Sequence, residues 1–215
     1  MERYPLIHKI GDFDAVILAH GDFPHAEIPF GLLSRAPFVC ACDGAVNHYP
    51  QADVIVGDGD SVPASLRARL IQIEEQEDND LTKATRYCVS KGMRCIVYLG
   101  ATGQREDHAL GNISLIVRYM QELGVEPLLA TDYGWFVVAE GESAFESFKG
   151  QQVSIFNMSC NALSSEGLLW QAYPYRQWWQ GTLNEAGGDS FVLKGDGLYL
   201  VYRTYQAKES ALKLK

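Results

Sequence analysis

Short apolar, β-branched runs that alternate with helical segments constrain this chain more than any other feature. They occur at Ala15–Ala19, Phe38–Cys42, Val54–Val56, Arg94–Leu99 and Pro127–Ala130. Runs of about 4–8 residues are the length expected of strands buried on both faces of a parallel sheet. Between them the spacing predicts helices. Ser61-Val62-Pro63 reads as a cap leading into a helix through Ile71. Leu81 to Ser90 reads as a second helix, closed by Lys91-Gly92. Leu110, Ile113, Val117, Met120 and Leu123 recur at helical spacing in a third, which Gly124 ends. Such alternation implies an α/β fold, a Rossmann-like doubly wound parallel sheet.

From Thr131 onward the composition changes. All four tryptophans and 15 of the 24 aromatic residues fall in the last 85 of 215 positions. The runs Gln152–Met158, Ser190–Leu193 and Leu198–Tyr205 alternate or are β-rich, and Gly187-Gly188-Asp189 and Gly195-Asp196-Gly197 separate them as turns. The expected organisation is therefore an α/β domain over 1–130 and a smaller antiparallel β-sandwich or roll over 131–215.

Charge and cysteine usage narrow the function classes. A net charge of −9 argues against a protein that tracks a nucleic-acid backbone, which needs a basic face. An acidic protein still binds ATP where a metal ion bridges the two. The five cysteines include no CxxC pair and sit mostly in apolar runs, so free thiols in a reducing compartment are expected. No apolar run approaches the roughly 18 residues of a membrane helix, and no signal segment is visible, so no membrane partner and a cytoplasmic location are expected.

Ligands of open α/β sheets bind beyond the carboxyl ends of the strands. Here those ends carry Gly21-Asp22, Asp43-Gly44-Ala45 with Asn47, Gly57-Asp58-Gly59-Asp60-Ser61, and Gly100 through Asp107. Asp58 and Asp60 on one short loop, with Asp43 and Asp80 nearby, supply hard oxygen ligands that suit Mg²⁺. The competing explanation is a pair of Asx turns on a surface loop. In the acidic run Glu74–Asp80, Gln76 and Asp80 are the site candidates, with Asp80 also read as the cap of the following helix. Arg105, after a glycine loop that opens a helix, is placed to contact phosphate, or else to pair with Asp107. The five histidines show no metal-ligand spacing, and no nucleophile elbow is present.

Taken in order, Cys42-Asp43-Gly44-Ala45-Val46-Asn47, the GDGDS of Gly57–Ser61, the QEDNDLTK of Gln76–Lys83 and the GATGQREDHALGNI of Gly100–Ile113 resemble the thiamine pyrophosphokinase family. Gly167-Leu168-Leu169-Trp170 and Gly181-Thr182-Leu183-Asn184-Glu185 resemble two later motifs of that family. The resemblance implies a homodimer that transfers the pyrophosphoryl group of MgATP to the hydroxyethyl oxygen of thiamine, releasing AMP. It implies Asp43, Asp58, Asp60 and Asp80 as the catalytic and metal-binding carboxylates. Gln76, Asn79, Lys83, Arg105 and Asp107 would be nucleotide-side residues, and Trp170 and Asn184 thiamine-side residues. Within the motifs Asn79 replaces a usual Thr. Gly59 replaces a Phe, which takes away an apolar anchor and would loosen the loop. Leu183 replaces a Ser, which takes away a hydroxyl on the thiamine side. The alternatives are a same-fold pyrophosphokinase for another hydroxymethyl heterocycle such as a dihydropterin, a metal-dependent phosphohydrolase, and a non-catalytic nucleotide-binding module.

Overall fold

A computed structural model describes residues 1–75 and 77–208. Twelve strands and three α-helices follow in chain order: β1 (Glu2–Tyr4), β2 (Ala15–Leu18), α1 (Glu27–Ser34), β3 (Val39–Cys42), β4 (Val54–Gly57), β5 (Leu70–Gln72), α2 (Asp80–Ser90), β6 (Cys95–Leu99), α3 (Glu106–Leu123), β7 (Glu126–Ala130), β8 (Gly134–Glu146), β9 (Gln151–Asn157), β10 (Leu163–Glu166), β11 (Asn184–Glu185) and β12 (Ser190–Ala207). The described residues form two compact units, one drawn from residues 11–132 and one from residues 1–10 with the chain from Tyr133 onward.

The first unit is a six-stranded, wholly parallel sheet in the order β7-β6-β2-β3-β4-β5. Every residue of β2, β3 and β4 is buried, which is why these strands read as unbroken apolar runs. The chain moves outward from β2 through β5, then returns to the other side of β2 as β6. Right-handed crossovers place α1 on the face opposite α2 and α3. The reversal at β2 and β6 is a topological switch point, where two successive loops part and leave a crevice.

Three local expectations change. Residues 61–71 form no α-helix: Ala64–Arg69 is a 3-10 turn with no buried residue, and Leu70–Gln72 adds a parallel edge strand to β4. A segment with no apolar face has nothing to hold a longer helix against the sheet. In α3 the buried stripe is Asn112, Ile116, Val117 and Tyr119, while Leu110 at the head of the expected stripe is 53% exposed. Asn79 caps α2, its Oδ1 accepting from Thr82 N at 3.0 Å, so Asp80 is the first helical residue and not the cap.

In the second unit β12 pairs antiparallel with β8, β9 and β10, β11 pairs with β9, and β1 adds a parallel edge to β8. The expected turn at Gly195-Asp196-Gly197 is instead an irregularity within a single long strand, between Lys194 and Leu198 of β12. Asp196 Oδ1 closes it by accepting from Asn161 N and Ala162 N at 2.8 and 2.9 Å. At the centre of this unit Arg203 is 1% exposed, its guanidinium 4.6 Å from the Trp135 ring centre. It donates to Tyr4 O at 3.2 Å and Glu146 O at 2.8 Å, tying β1 to the end of β8. Arg203→Ala removes two charge-assisted hydrogen bonds and the packing of a buried side chain. We expect a loss of about 3 kcal/mol or more in urea denaturation, with earlier proteolysis at the N-terminal strand.

Candidate active site

Close backbone approach builds the switch point. Gly21 N donates to Gly100 O at 2.7 Å, and Asp22 N to Thr102 O at 2.9 Å. A Cβ at Gly21 would lie 2.3 Å from Thr102 O, so only glycine lets the loops after β2 and β6 meet. Gln104, in left-handed backbone at φ +58°, returns its side chain to Gly21 O at 3.1 Å. The knitted loops frame a cleft of about 400 Å³ at the carboxyl ends of the strands, lined by residues of this unit including Asp43, Asn79, Asp80 and Arg105.

Asp43 occupies the end of β3 at φ +34°, a strained setting for a non-glycine residue. Its buried carboxylate accepts from Gly59 N through Oδ1 at 3.1 Å and from Ser61 N through Oδ2 at 3.2 Å. Gly57 makes room for it, since a Cβ there would lie 2.8 Å from Asp43 Cβ. Asp58 Oδ1 accepts from Asp60 N at 3.1 Å, the Asx turn that the competing reading of the motif foresaw. Gly59 adopts φ +87°, and a Cβ would lie 2.6 Å from Leu70 Cδ2. The glycine is what this loop conformation requires.

Asp80 opens α2 at the cleft wall. Its carboxyl is pushed up from the ordinary carboxylate range, first by partial burial and then by the charges of Asp58 and Asp43, while Lys83 pulls it the other way. The Lys83 ammonium, 4% exposed, lies 3.2 Å from Asp80 Oδ1. Burying that cation is tolerable because it is paired. Beside it Asn79 Nδ2 donates to Asn112 Oδ1 at 3.0 Å, and Asn112 Nδ2 to Ala101 O at 2.7 Å. This relay joins the head of α2 to the loop after β6.

The remaining candidates separate. Arg105 and Asp107 pair with each other at 3.1 and 2.5 Å, both well exposed. The pairing pushes the guanidinium up and holds the Asp107 carboxyl below its usual range. Gln76 lies outside the described residues. Among the described residues no three His, Cys, Asp or Glu side chains converge closely enough to hold a metal by themselves. Trp170 and Asn184 belong to the second unit. The Trp170 indole is 53% exposed, and Asn184 is buried against the Trp170 main chain, its Nδ2 donating to Trp170 O at 2.7 Å.

Four cleft residues escaped the sequence reading: His20, Gln104, His108 and Asn112. His20 lies against Gly44, where a Cβ would come within 2.7 Å of its ring, and tilts onto His48 with centroids 5.7 Å apart. Weighing the histidines only for metal spacing missed it. Asn112 left a usable signal, a polar residue on the otherwise apolar stripe of α3.

Two family models match the chain: "Thiamin pyrophosphokinase, catalytic domain" over residues 31–126 and "Thiamin pyrophosphokinase, substrate-binding domain" over 134–202. Among curated proteins, none is matched by sequence. Solved structures similar to the chain include thiamin pyrophosphokinase from Candida albicans, with a TM-score of 0.75 at 14% identity over 95% of this chain and 93% of that one. The yeast enzyme has a TM-score of 0.74 at 13% identity over 94% and 90%, and the Bacillus subtilis enzyme 0.70 at 18% over 90% and 99%. At such identities the likeness is one of fold.

The Gly59 geometry yields a stability test. Gly59→Ala should destabilise by about 1–2 kcal/mol from backbone conformation alone, with a further steric cost against Leu70. In urea denaturation, Gly59→Ala made in a Leu70→Ala background should recover the steric part and keep the backbone part.

Proposed function

We propose, from the premise that this chain belongs to the thiamin pyrophosphokinase family, that its two units divide the labour of one reaction, MgATP on the parallel sheet and thiamine on the aromatic β unit. The chain is a transferase, a thiamine diphosphokinase, which joins the pyrophosphoryl group of ATP to the hydroxyethyl oxygen of thiamine and releases AMP. One observation carries the assignment of residues: Asp43 and Asp80 both line the switch-point cleft, and the charges of Asp58 and Asp43 reach Asp80 there, adding to the upward push that partial burial gives its carboxyl.

Magnesium fits this donor set. It is commonly held by one or two carboxylates, with waters and substrate phosphates completing its shell, so a cage of three protein ligands is not required. Asp58, Asp60 and Asp80 are the candidates from which one or two carboxylates would hold it, and once bound it would offset the charge of the transferring phosphates. Asp43 keeps the Gly57–Ser61 loop in place. Lys83 fixes the Asp80 carboxylate, and the Asn79–Asn112–Ala101 relay keeps Asp80 in register with the glycine loop. Arg105 is so exposed that its pair with Asp107 holds only loosely, which leaves it free to swing onto a phosphate. One of the carboxylates orients the thiamine hydroxyl for attack.

Thiamine's thiazolium is planar and cationic, which suits the exposed face of Trp170. Leu169, Tyr173 and Trp179, at 59%, 48% and 69% exposure, surround it in sequence with further apolar surface. Bare apolar surface of this kind supports a homodimer in which a second copy covers the segment. The five thiols, all free, suit a reducing cytoplasm. No helix among the described residues is long and apolar enough to cross a membrane.

Incubation with thiamine, ATP and Mg²⁺, followed by mass analysis, should yield thiamine diphosphate and AMP. ADP with thiamine monophosphate, or no turnover, overturns the reading. Asp58→Asn and Asp60→Asn should each lower kcat by about 10²-fold or more, and near-normal rates in both would remove them from the metal site. The mass of the active species in solution should be that of two chains.

A further inference from the structure

Asn184 sits 4% exposed beside a tryptophan whose indole is half exposed. A carboxamide has four hydrogen-bonding positions, two lone pairs on oxygen and two protons on nitrogen. Oδ1 accepts from Trp170 N at 3.2 Å and from Glu185 N at 2.8 Å. Nδ2 donates to Trp170 O at 2.7 Å. Both lone pairs and one of the two protons are thus engaged within the protein, two of the three bonds with the Trp170 main chain.

The backbone explains why a side chain is used here. Leu168 bridges Ala186, and Leu169 N donates to Glu185 O at 2.9 Å, an antiparallel pairing that should next engage residue 170. Leu183 turns away into left-handed backbone at φ +62°, ending the strand on the other side. The Asn184 carboxamide then stands in for the missing peptide group, giving Trp170 both the acceptor and the donor that a strand would have given. Beyond it, Ala172 N donates to Ser165 Oγ at 2.8 Å, so the chain is held on both sides of the tryptophan.

We infer that Asn184 is a positioning residue for Trp170: it fixes the Trp170 main chain so that the exposed indole is presented without further ordering. This rests on the proposal that Trp170 receives thiamine. A face already fixed has less conformational freedom to lose on binding, so the gain appears in affinity and not in the chemical step.

A double-mutant cycle on thiamine kinetics separates positioning from direct contact. Asn184→Ala should raise the thiamine KM by about tenfold with kcat changed less than about twofold. Added to Trp170→Ala, it should change KM by less than about twofold, because its effect passes through the indole. Equal factors in both backgrounds overturn the proposal. If Asn184→Ala does not fold, Asn184→Asp takes its place, since it keeps the volume and the acceptor oxygens and loses both donors. Trp170 mobility provides a readout free of turnover, taken as the difference in fluorescence anisotropy decay between each protein and its Trp170→Phe counterpart. Asn184→Asp should add a fast depolarising component, and an unchanged decay overturns the clamp. Were the unaltered protein inert toward thiamine, the functional reading would fall while the anisotropy would still decide the role of Asn184.

Discussion

The buried carboxylate of Asp43 is the contact on which the catalytic half of the molecule depends. It leaves the end of β3 in a strained left-handed conformation and reaches across to the loop after β4, accepting from Gly59 N and Ser61 N. A carboxylate that accepts two backbone hydrogen bonds is doubly tied, and removing it would strand two N–H groups of a short acidic loop. Two neighbours give way for it: Gly57 yields the space, and Gly59 turns the chain so that its N–H points back. The loop that carries Asp58 and Asp60 is therefore shaped from the adjacent strand.

The same economy recurs wherever the structure concentrates strain. Among the described residues only three without glycine's freedom adopt positive φ, and they are Asp43, Gln104 and Leu183. Each lies in one of the motifs that carry the family resemblance. Each is also held by specific bonds: Asp43 to two amides, Gln104 to Gly21 O, and Leu183 through its N–H to Ser154 Oγ at 3.2 Å. Strained backbone persists only where its surroundings over-determine it, and such places cluster at sites that must be preorganised. The coincidence of strain with motif supports the sites independently of residue chemistry.

Much of this was legible in the sequence, for identifiable reasons. The parallel strands were plain because β2, β3 and β4 are buried on both faces and read as unbroken apolar runs. The ends of α2 and α3 were plain because Gly92 and Gly124 adopt positive φ, as glycines that close helices do. What stayed hidden depends on partners far along the chain. Residues 64–72 have enough apolar character for a helix pattern, yet lack a face to bury, and the open edge of β4 recruits their end as a strand. Gly195 and Gly197 look like a hairpin turn, but β8 continues past the irregularity and holds β12 as one strand, with β10 paired to it before the irregularity and β9 after it. Asp58, Asp60 and Asp80 could be picked out by residue type. His20 could not, since its place comes from tertiary contact, whereas Asn112 showed only as a polar residue on the apolar stripe of α3.

The distinction between residue type and residue task bears most on Asn184. Its position beside a glycine turn and an exposed aromatic makes it look like a ligand-binding amide, and an exposed amide there would be one. Burial changes the logic, because a buried carboxamide whose oxygen and one N–H are committed to main-chain groups serves the chain around it first. The same accounting applies to Lys83, whose ammonium is buried on Asp80. Both residues act at one remove, each by fixing a neighbour that stays open to solvent. Asp80 at the head of α2 and Trp170 after β10 are the groups left facing outward. On the proposed reading each unit keeps its contact groups few and uses its other polar residues to hold those groups still, which limits the freedom lost when a charged, flexible substrate binds.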